Sequence, residues 1–322
     1  MAAYPEDLDR PLRRGELSLL GIGWREAAGP LWQQPYRNVH VWSAALPGDG
    51  RQRALCAAAL LPPDAALGGW AAACLGNVPE LDGLGPSGAV PEPVLLCLQR
   101  DQRVRRDASV RPLRSRLDPS DVTVVDGIAV TAPVRTAFDL ARTRPLPEAV
   151  VALDVLARGR PDFLDEVAAY AGDRPRWLGA PNARRALALA TFRSLSPGET
   201  RLRLFWQLDC GLPEPHVNPR VWSLDGWLLG LPDLLDDRLG LVGEYDGAGH
   251  RELRRHTVDN VREEGFEGAG LIVVRATGLD LGPERARTRA RILAAARRAA
   301  EAPGPRRWMW QPGPLPEPTP HW

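Results

Sequence analysis

Two carboxylates interrupt apolar runs in the C-terminal third of the chain. Asp233 lies in WLLGLPDLL and Glu244, eleven residues on, in LVGEYDG. A carboxylate in such a run is costly to bury unless it is paired or holds a cation. Two of them within about 4–6 Å also resist joint ionisation, which a divalent cation relieves. Hard oxygen ligands suit Mg²⁺ or Mn²⁺, ions that hold phosphodiester oxygens and activate water. The competing reading is a carboxylate–arginine pair, with Arg275 as partner. His250 and Asp246 are candidates to take a proton from a metal-bound water. Their structural alternatives are a helix cap for His250 and ordinary turn chemistry for the Asp246-Gly247 pair. Arg251, Arg254 and Arg255 form a cluster suited to phosphates, with a solvated face as the alternative. Arg262 suits either nucleic acid or a pair with Asp259 or Glu263 on its own helix.

The elements that must position these groups are legible in order. Ser196-Pro197-Gly198-Glu199 has the form of a capping box, with Ser at the N-cap, Pro at N1 and Glu at N3. Glu199 therefore has a structural role open to it as well as a place bordering the site. The helix continues through ETRLRLFWQLD, with Leu202, Phe205, Trp206 and Leu208 on one side, to Gly211. A strand is predicted over 216–224, a hairpin turn at Asp225-Gly226, and a returning strand over 227–235. A turn at 236–240 leads to a third strand over 241–247. A helix over 250–267, a strand over 271–276 and a basic helix over 283–300 complete the order α-β-β-β-α-β-α. A meander feeding a crossover helix implies a mixed sheet with helices on both faces.

LPDLLDDRLGLVGEYDGAGH, the Asp259-xx-Arg262-Glu263 pattern and GLIVVRATGLDL together resemble the PD-(D/E)XK nuclease superfamily. They are more closely similar to its very-short-patch-repair (Vsr-like) endonuclease branch. The resemblance covers about 110 residues and implies a restriction-endonuclease-like fold. It makes Asp233 and Glu244 metal ligands, and sets Glu199, Asp246 and His250 beside them. Asp246 stands where many members carry a catalytic Lys; Vsr-like relatives lack that Lys too. Residues 1–160 resemble the N-terminal part of AbiEi-type antitoxin and regulator proteins, through AALLPPDAALGGWAAACLG and DVTVVDGIAVTAPVRTAFDLAR. Those families begin with a winged helix, whereas the first forty residues here are broken.

The expected class is α/β: an α+β N-terminal domain (1–160), a helical connector (161–195), the nuclease-like domain (196–302) and a Pro/Trp-rich tail (303–322). Seven Pro in the tail predict no regular element, with its Trp residues available to pin it to the body. Upstream, a strand is expected at VHVW, two Ala-rich helices split at Pro62-Pro63, and strands at PVLLCL and ASVRPL. A short strand follows Asp126-Gly127, then helices starting near Thr131 and across 145–159.

At 322 residues with 44% hydrophobic and 25% charged composition, a packed protein is expected. The chain holds no Lys, so all 41 basic residues are Arg and any mechanism must do without a catalytic lysine. The net charge of +1 hides two basic segments. Seven Arg face two Asp over 99–116, and thirteen Arg face eight acids over 247–307. Either could meet phosphates. The four Cys are scattered without CxxC pairs or zinc spacing, and no stretch reaches 18 apolar residues, so a reduced cytoplasmic protein is expected. The expected function is a Mg²⁺- or Mn²⁺-dependent DNA endonuclease or nuclease-like nucleic-acid-binding protein. The alternative is a non-catalytic regulator whose N-terminal region binds a partner or promoter.

Overall fold

The computed structural model describes residues 10–44, 49–85, 88–247, 264–301 and 306–322. It is a mixed α/β structure in two compact units. The first comprises Met1–Arg144, Asp165–Ala183 and Pro320–Trp322; the second comprises Pro145–Leu164 and Arg184–Thr319. None of the described helices is long and apolar enough to cross a membrane.

The first unit opens with β1 (Leu12–Arg13), α1 (Arg14–Leu19), α2 (Trp24–Ala27), β2 (Trp32–Tyr36) and β3 (Val39–Trp42). These strands form a small sheet of order β1-β3-β2 over Leu12, Leu17, Ile22, Ala27 and Trp32. Helix α1 has six residues and α2 is a single turn, so residues 10–44 offer no long helix for a DNA groove. Next come α3 (Gly50–Ala58), β4 (Ala66–Gly68), α4 (Gly69–Leu75), β5 (Val94–Leu98), β6 (Val110–Arg114), β7 (Val122–Val125), β8 (Ile128–Thr131) and α5 (Pro133–Thr143). The five strands make a mixed sheet of order β6-β5-β4-β8-β7. β5, VLLCL, is buried at every position, as a central strand covered on both faces must be. The predicted strands at VHVW, VLLCL and VRPL form, as do the two helices flanking Pro62-Pro63. Strands β4 and β7 were not expected. β7 pairs with β8 across Asp126-Gly127, whose φ angles of 50° and 77° are those of a tight hairpin turn.

α6 (Leu146–Ala157) belongs to the second unit, and α7 (Pro161–Gly172) and α8 (Ala180–Leu187) follow it in the chain. α9 (Pro197–Leu204) then passes into a wider π-turn over Phe205–Asp209, in which Cys210 N donates to Phe205 O at 3.0 Å. That extra residue per turn rotates the helix face. Leu202, Phe205 and Trp206 enter the core as expected, but Leu208 is left 51% exposed.

The two long strands expected after α9 are broken in two. β9 (His216–Val217) and β10 (Arg220–Ser223) replace one, and β11 (Leu228–Gly230) and β12 (Leu234–Asp236) replace the other. The breaks fall at Asn218-Pro219 and Leu231-Pro232, where proline removes a ladder donor and Asn218 takes a φ of 48°. β13 (Leu241–Tyr245), a short helix α10 (residues 264–268), β14 (Ile272–Ala276), α11 (Gly278–Leu281), α12 (Arg285–Glu301) and β15 (Trp308–Gln311) complete the unit. Most of the helix expected over 250–267 lies outside the described residues. The main sheet has order β14-β13-β12-β9, with only β13 and β14 parallel. Its first face packs on α9 and α12 through Trp206, Leu241, Val274, Ile292 and Ala295. Its second face packs Leu235, Val242 and Phe266 against Val221 and Trp308.

The tail departs from expectation. β15 adds antiparallel to β10, making a second sheet of order β11-β10-β15, and Trp308 is buried. Prolines flank this strand without interrupting WMWQ itself, so its backbone donors stay available.

Candidate active site

The hairpin β12–β13 builds the acidic centre. Its ladder pairs Leu234 with Gly243, so Asp233, one residue before β12, falls at the level of Glu244. The Asp233 carboxylate is fixed there: its Oδ2 accepts from Tyr245 N at 2.7 Å. Glu244 is buried at 9% exposure, while Asp233 is half-buried. Alternation along β13 sends Leu241 and Tyr245 to the α9 face and Val242, with Glu244 two residues on, to the other. On the neighbouring parallel strand the register places Arg275 directly beside Glu244. Asp233 and Glu244 are thus brought together, with the suspected arginine partner at the same level.

Glu199 arrives from α9. Only half of the expected capping box forms: Ser196 Oγ accepts from Glu199 N at 3.2 Å. The Glu199 carboxylate bypasses the N-cap amide. Its Oε2 accepts from Leu195 N at 2.8 Å and from Asn218 Nδ2 at 2.9 Å. Asn218 N in turn donates to Asp233 O at 3.0 Å, so one buried amide residue links Glu199 to the backbone of Asp233. No sequence signal singled out Asn218; its left-handed φ and its two partners become visible only in the fold. The start of α9 lies against the Tyr245 ring, and a side chain at Gly198 would collide with that ring.

Asp246 lies one residue beyond β13 with its side chain exposed, and its N–H extends the ladder to Ala276 O at 2.8 Å. It stands at the same end of the sheet as Glu244 and Arg275. His250, Arg251, Arg254, Arg255 and Arg262, with the Asp259 and Glu263 partners proposed for Arg262, lie outside the described residues. Among the described residues no group of three or more His, Cys, Asp or Glu side chains is arranged to hold a metal ion. The acidic centre therefore offers two carboxylates, Asp233 and Glu244, as the donors that could hold a cation, with Glu199 tied to Asn218 nearby.

A more deeply buried carboxylate was not singled out from the sequence. Asp154, on α6, is 1% exposed and accepts from Thr191 N, Ser194 Oγ, Thr200 Oγ1 and Arg203 Nη2, the last at 2.7 Å. These donors use both of its oxygens and tie α6 to α9. The only sequence trace is an Asp inside the apolar helix VVALDVLA.

No family model matches the chain, and no solved structure matches it. Two relatives do: the uncharacterized proteins MT2308 and Rv2248 of Mycobacterium tuberculosis, from two strains. Each is 29% identical over 233 residues, covering 71% of this chain and 82% of its own length.

Proposed function

We propose that the second unit is a divalent-metal-dependent phosphodiesterase of the restriction-endonuclease-like type, acting on DNA. The observation that carries this reading is the level shared by Asp233 and Glu244 at one end of the sheet, with Asp233 held by the Tyr245 amide. In this reading Asp233 and Glu244 would hold Mg²⁺ or Mn²⁺, and the ion would supply Lewis-acid chemistry at a phosphodiester and its attacking water. Asp246, solvent-exposed one residue past β13, is a candidate to take the proton, as is His250 by sequence position. Arginines neutralise the non-bridging oxygens, since the chain has no lysine for that task. The resemblance to Vsr-like endonucleases supports the same assignment.

The test compares wild-type protein with Asp233→Asn and Glu244→Gln on supercoiled plasmid and single-stranded DNA with Mn²⁺ or Mg²⁺. Cleavage by wild type that both variants lose supports the reading. Equal products from all three proteins, or none from any, overturns it.

One observation favours a second reading. Arg275 is the register neighbour of Glu244, so an arginine stands at the level needed to balance that carboxylate without any cation. On that reading the sheet is a scaffold retained by a non-catalytic regulator, and Mn²⁺ titration calorimetry gives no heat attributable to Glu244.

A further inference from the structure

The edge of the five-stranded sheet in the first unit carries a concave basic surface that the acidic centre does not use. A groove of about 870 Å³ lies between the loop before β6 and one face of β6. Its lining includes Arg103, Arg105, Arg106, Val110, Pro112 and Arg114. Val110, Pro112 and Arg114 alternate along β6, so they share a face of the strand. β6 is the last strand of its sheet, which leaves that edge open.

The arginines are organised rather than merely numerous. Gln102 is anchored by its side chain, which accepts from Gln99 N at 2.9 Å and donates to Pro63 O at 2.5 Å. Its carbonyl oxygen then takes Arg103 Nη1 at 3.0 Å and Arg114 Nε at 3.2 Å. One fixed carbonyl thus aims two guanidinium groups, and among the described residues neither terminal amino group of Arg114 has a hydrogen-bond partner. Among the described residues Arg103, Arg105, Arg106 and Arg114 form no ion pair with a carboxylate, whereas Arg116 pairs with Asp118. The one acid of the lining, Asp107, is engaged by Ser109, whose N–H and hydroxyl both donate to it.

The chemistry selects the partner. Planar guanidinium forks with free outer edges match phosphate oxygens. No large apolar side chain is exposed between residues 99 and 116, so the surface lacks the anchor that a protein interface or a lipid bilayer would require. A concave polar trough recognising charge without an apolar anchor fits a phosphodiester backbone. We propose that the groove between the 99–109 loop and β6 is a docking surface for nucleic acid. Its occupant is duplex DNA, held by its phosphates through Arg103, Arg105, Arg106 and Arg114. This inference does not rest on the metal-centre reading.

The test is fluorescence anisotropy of a fluorescein-labelled DNA duplex with the full chain, in EDTA, across a salt series. The variants are the triple substitution Arg105→Ala/Arg106→Ala/Arg114→Ala and the double reversal Arg105→Glu/Arg106→Glu. The double reversal alters only exposed loop residues, which keeps the test valid if the triple variant folds poorly. At low salt, binding by either variant is expected to weaken at least about tenfold. The slope of log K against log salt should become shallower by about two to three in the triple variant, at roughly 0.9 for each phosphate no longer neutralised. Binding is read in EDTA, where no divalent cation supports cleavage, so loss of cleavage and loss of docking are separable. Wild-type affinity in the double reversal, no binding by wild type, or preferential capture of anionic phospholipid vesicles or of single-stranded RNA overturns the proposal.

Discussion

Both units seal carboxylates against arginine, Asp154 with Arg203 in the second, but the second unit also carries carboxylates that are not sealed. In the first unit Asp139 takes Arg135 Nε at 2.8 Å and Arg142 Nε at 2.7 Å, while Asp121 takes Arg135 Nη1 and the Tyr170 hydroxyl. Burial lowers the basicity of Arg135, yet Asp139 together with the other groups around it outweighs burial and keeps the guanidinium strongly basic. Asp121, Asp139 and Arg135 are each at most 2% exposed. In the second unit Asp233 is half-buried and Asp246 exposed, both at one end of the main sheet beside Glu244. A sealed charge network can stabilise a fold but cannot meet a substrate. Carboxylates that are half-buried or exposed, as Asp233 and Asp246 are, can do both. Depth of burial is therefore a poor guide to chemistry, and access separates the two cases.

Substitution tests this contrast most severely in the sealed network. Asp139→Ala strips the buried Arg142 of its carboxylate and leaves Arg135 with Asp121 alone, and should cost about 3–5 kcal/mol in urea unfolding. A loss under about 1 kcal/mol would mean that water reaches the network and would erase the distinction. Trp308→Ala should cost a similar amount, about 3–5 kcal/mol, because the ring is buried under the β10–β15 pair. An unchanged midpoint would return the tail to the irregular segment that its prolines predict.

Asp233→Asn should leave stability within about 1 kcal/mol, since an amide oxygen can still accept from Tyr245 N. On the proposed function it should nevertheless abolish cleavage. Large destabilisation with cleavage intact would reverse the roles of the two regions.

The smallest effects are titrations. Asp280 loses some solvation, but Thr277, Thr288 and Arg291 stabilise its charged form, so its pKa lies below the ordinary carboxylate range. A depressed folded pKa contributes stability above the unfolded value, about pH 4, and that stability is lost as pH falls through the folded value. The stability gap between wild type and Asp280→Asn should therefore close in acid; a constant gap from pH 7 to pH 2 would contradict it. Burial pushes the Cys74 and Cys210 thiols up to about 11. Both should react slowly with a disulfide reagent near pH 8 in the native protein and rapidly in urea. Fast native reaction would show that the thiols are open to solvent.

Much of the second unit was legible because its signals are local. The Ser196 cap, the Asp225-Gly226 turn and the apolar runs of β13 and β14 need only neighbouring residues to act. The strand breaks at Pro219 and Pro232 were also written in the chain, but hydrophobic continuity masked them. The pairing of Asp233 with Glu244 followed from hairpin register. Asn218 did not, because its importance depends on a left-handed backbone and on partners 19 and 25 residues away. Asp154 was hidden for the same reason: its donors lie 37 to 49 residues on.

By itself the sequence determined a hairpin carrying two carboxylates, an arginine-only set of basic side chains, and the periodic elements that carry them. Local propensity and side-chain alternation act over a few residues, so they survive in one dimension. The tertiary structure alone decided that Glu199 is held by Asn218 rather than closing its capping box. It also decided that the tail becomes a strand, and that Gln102 aims two arginines into one groove. Each of those outcomes rests on long-range hydrogen bonds, whose partners no local pattern names.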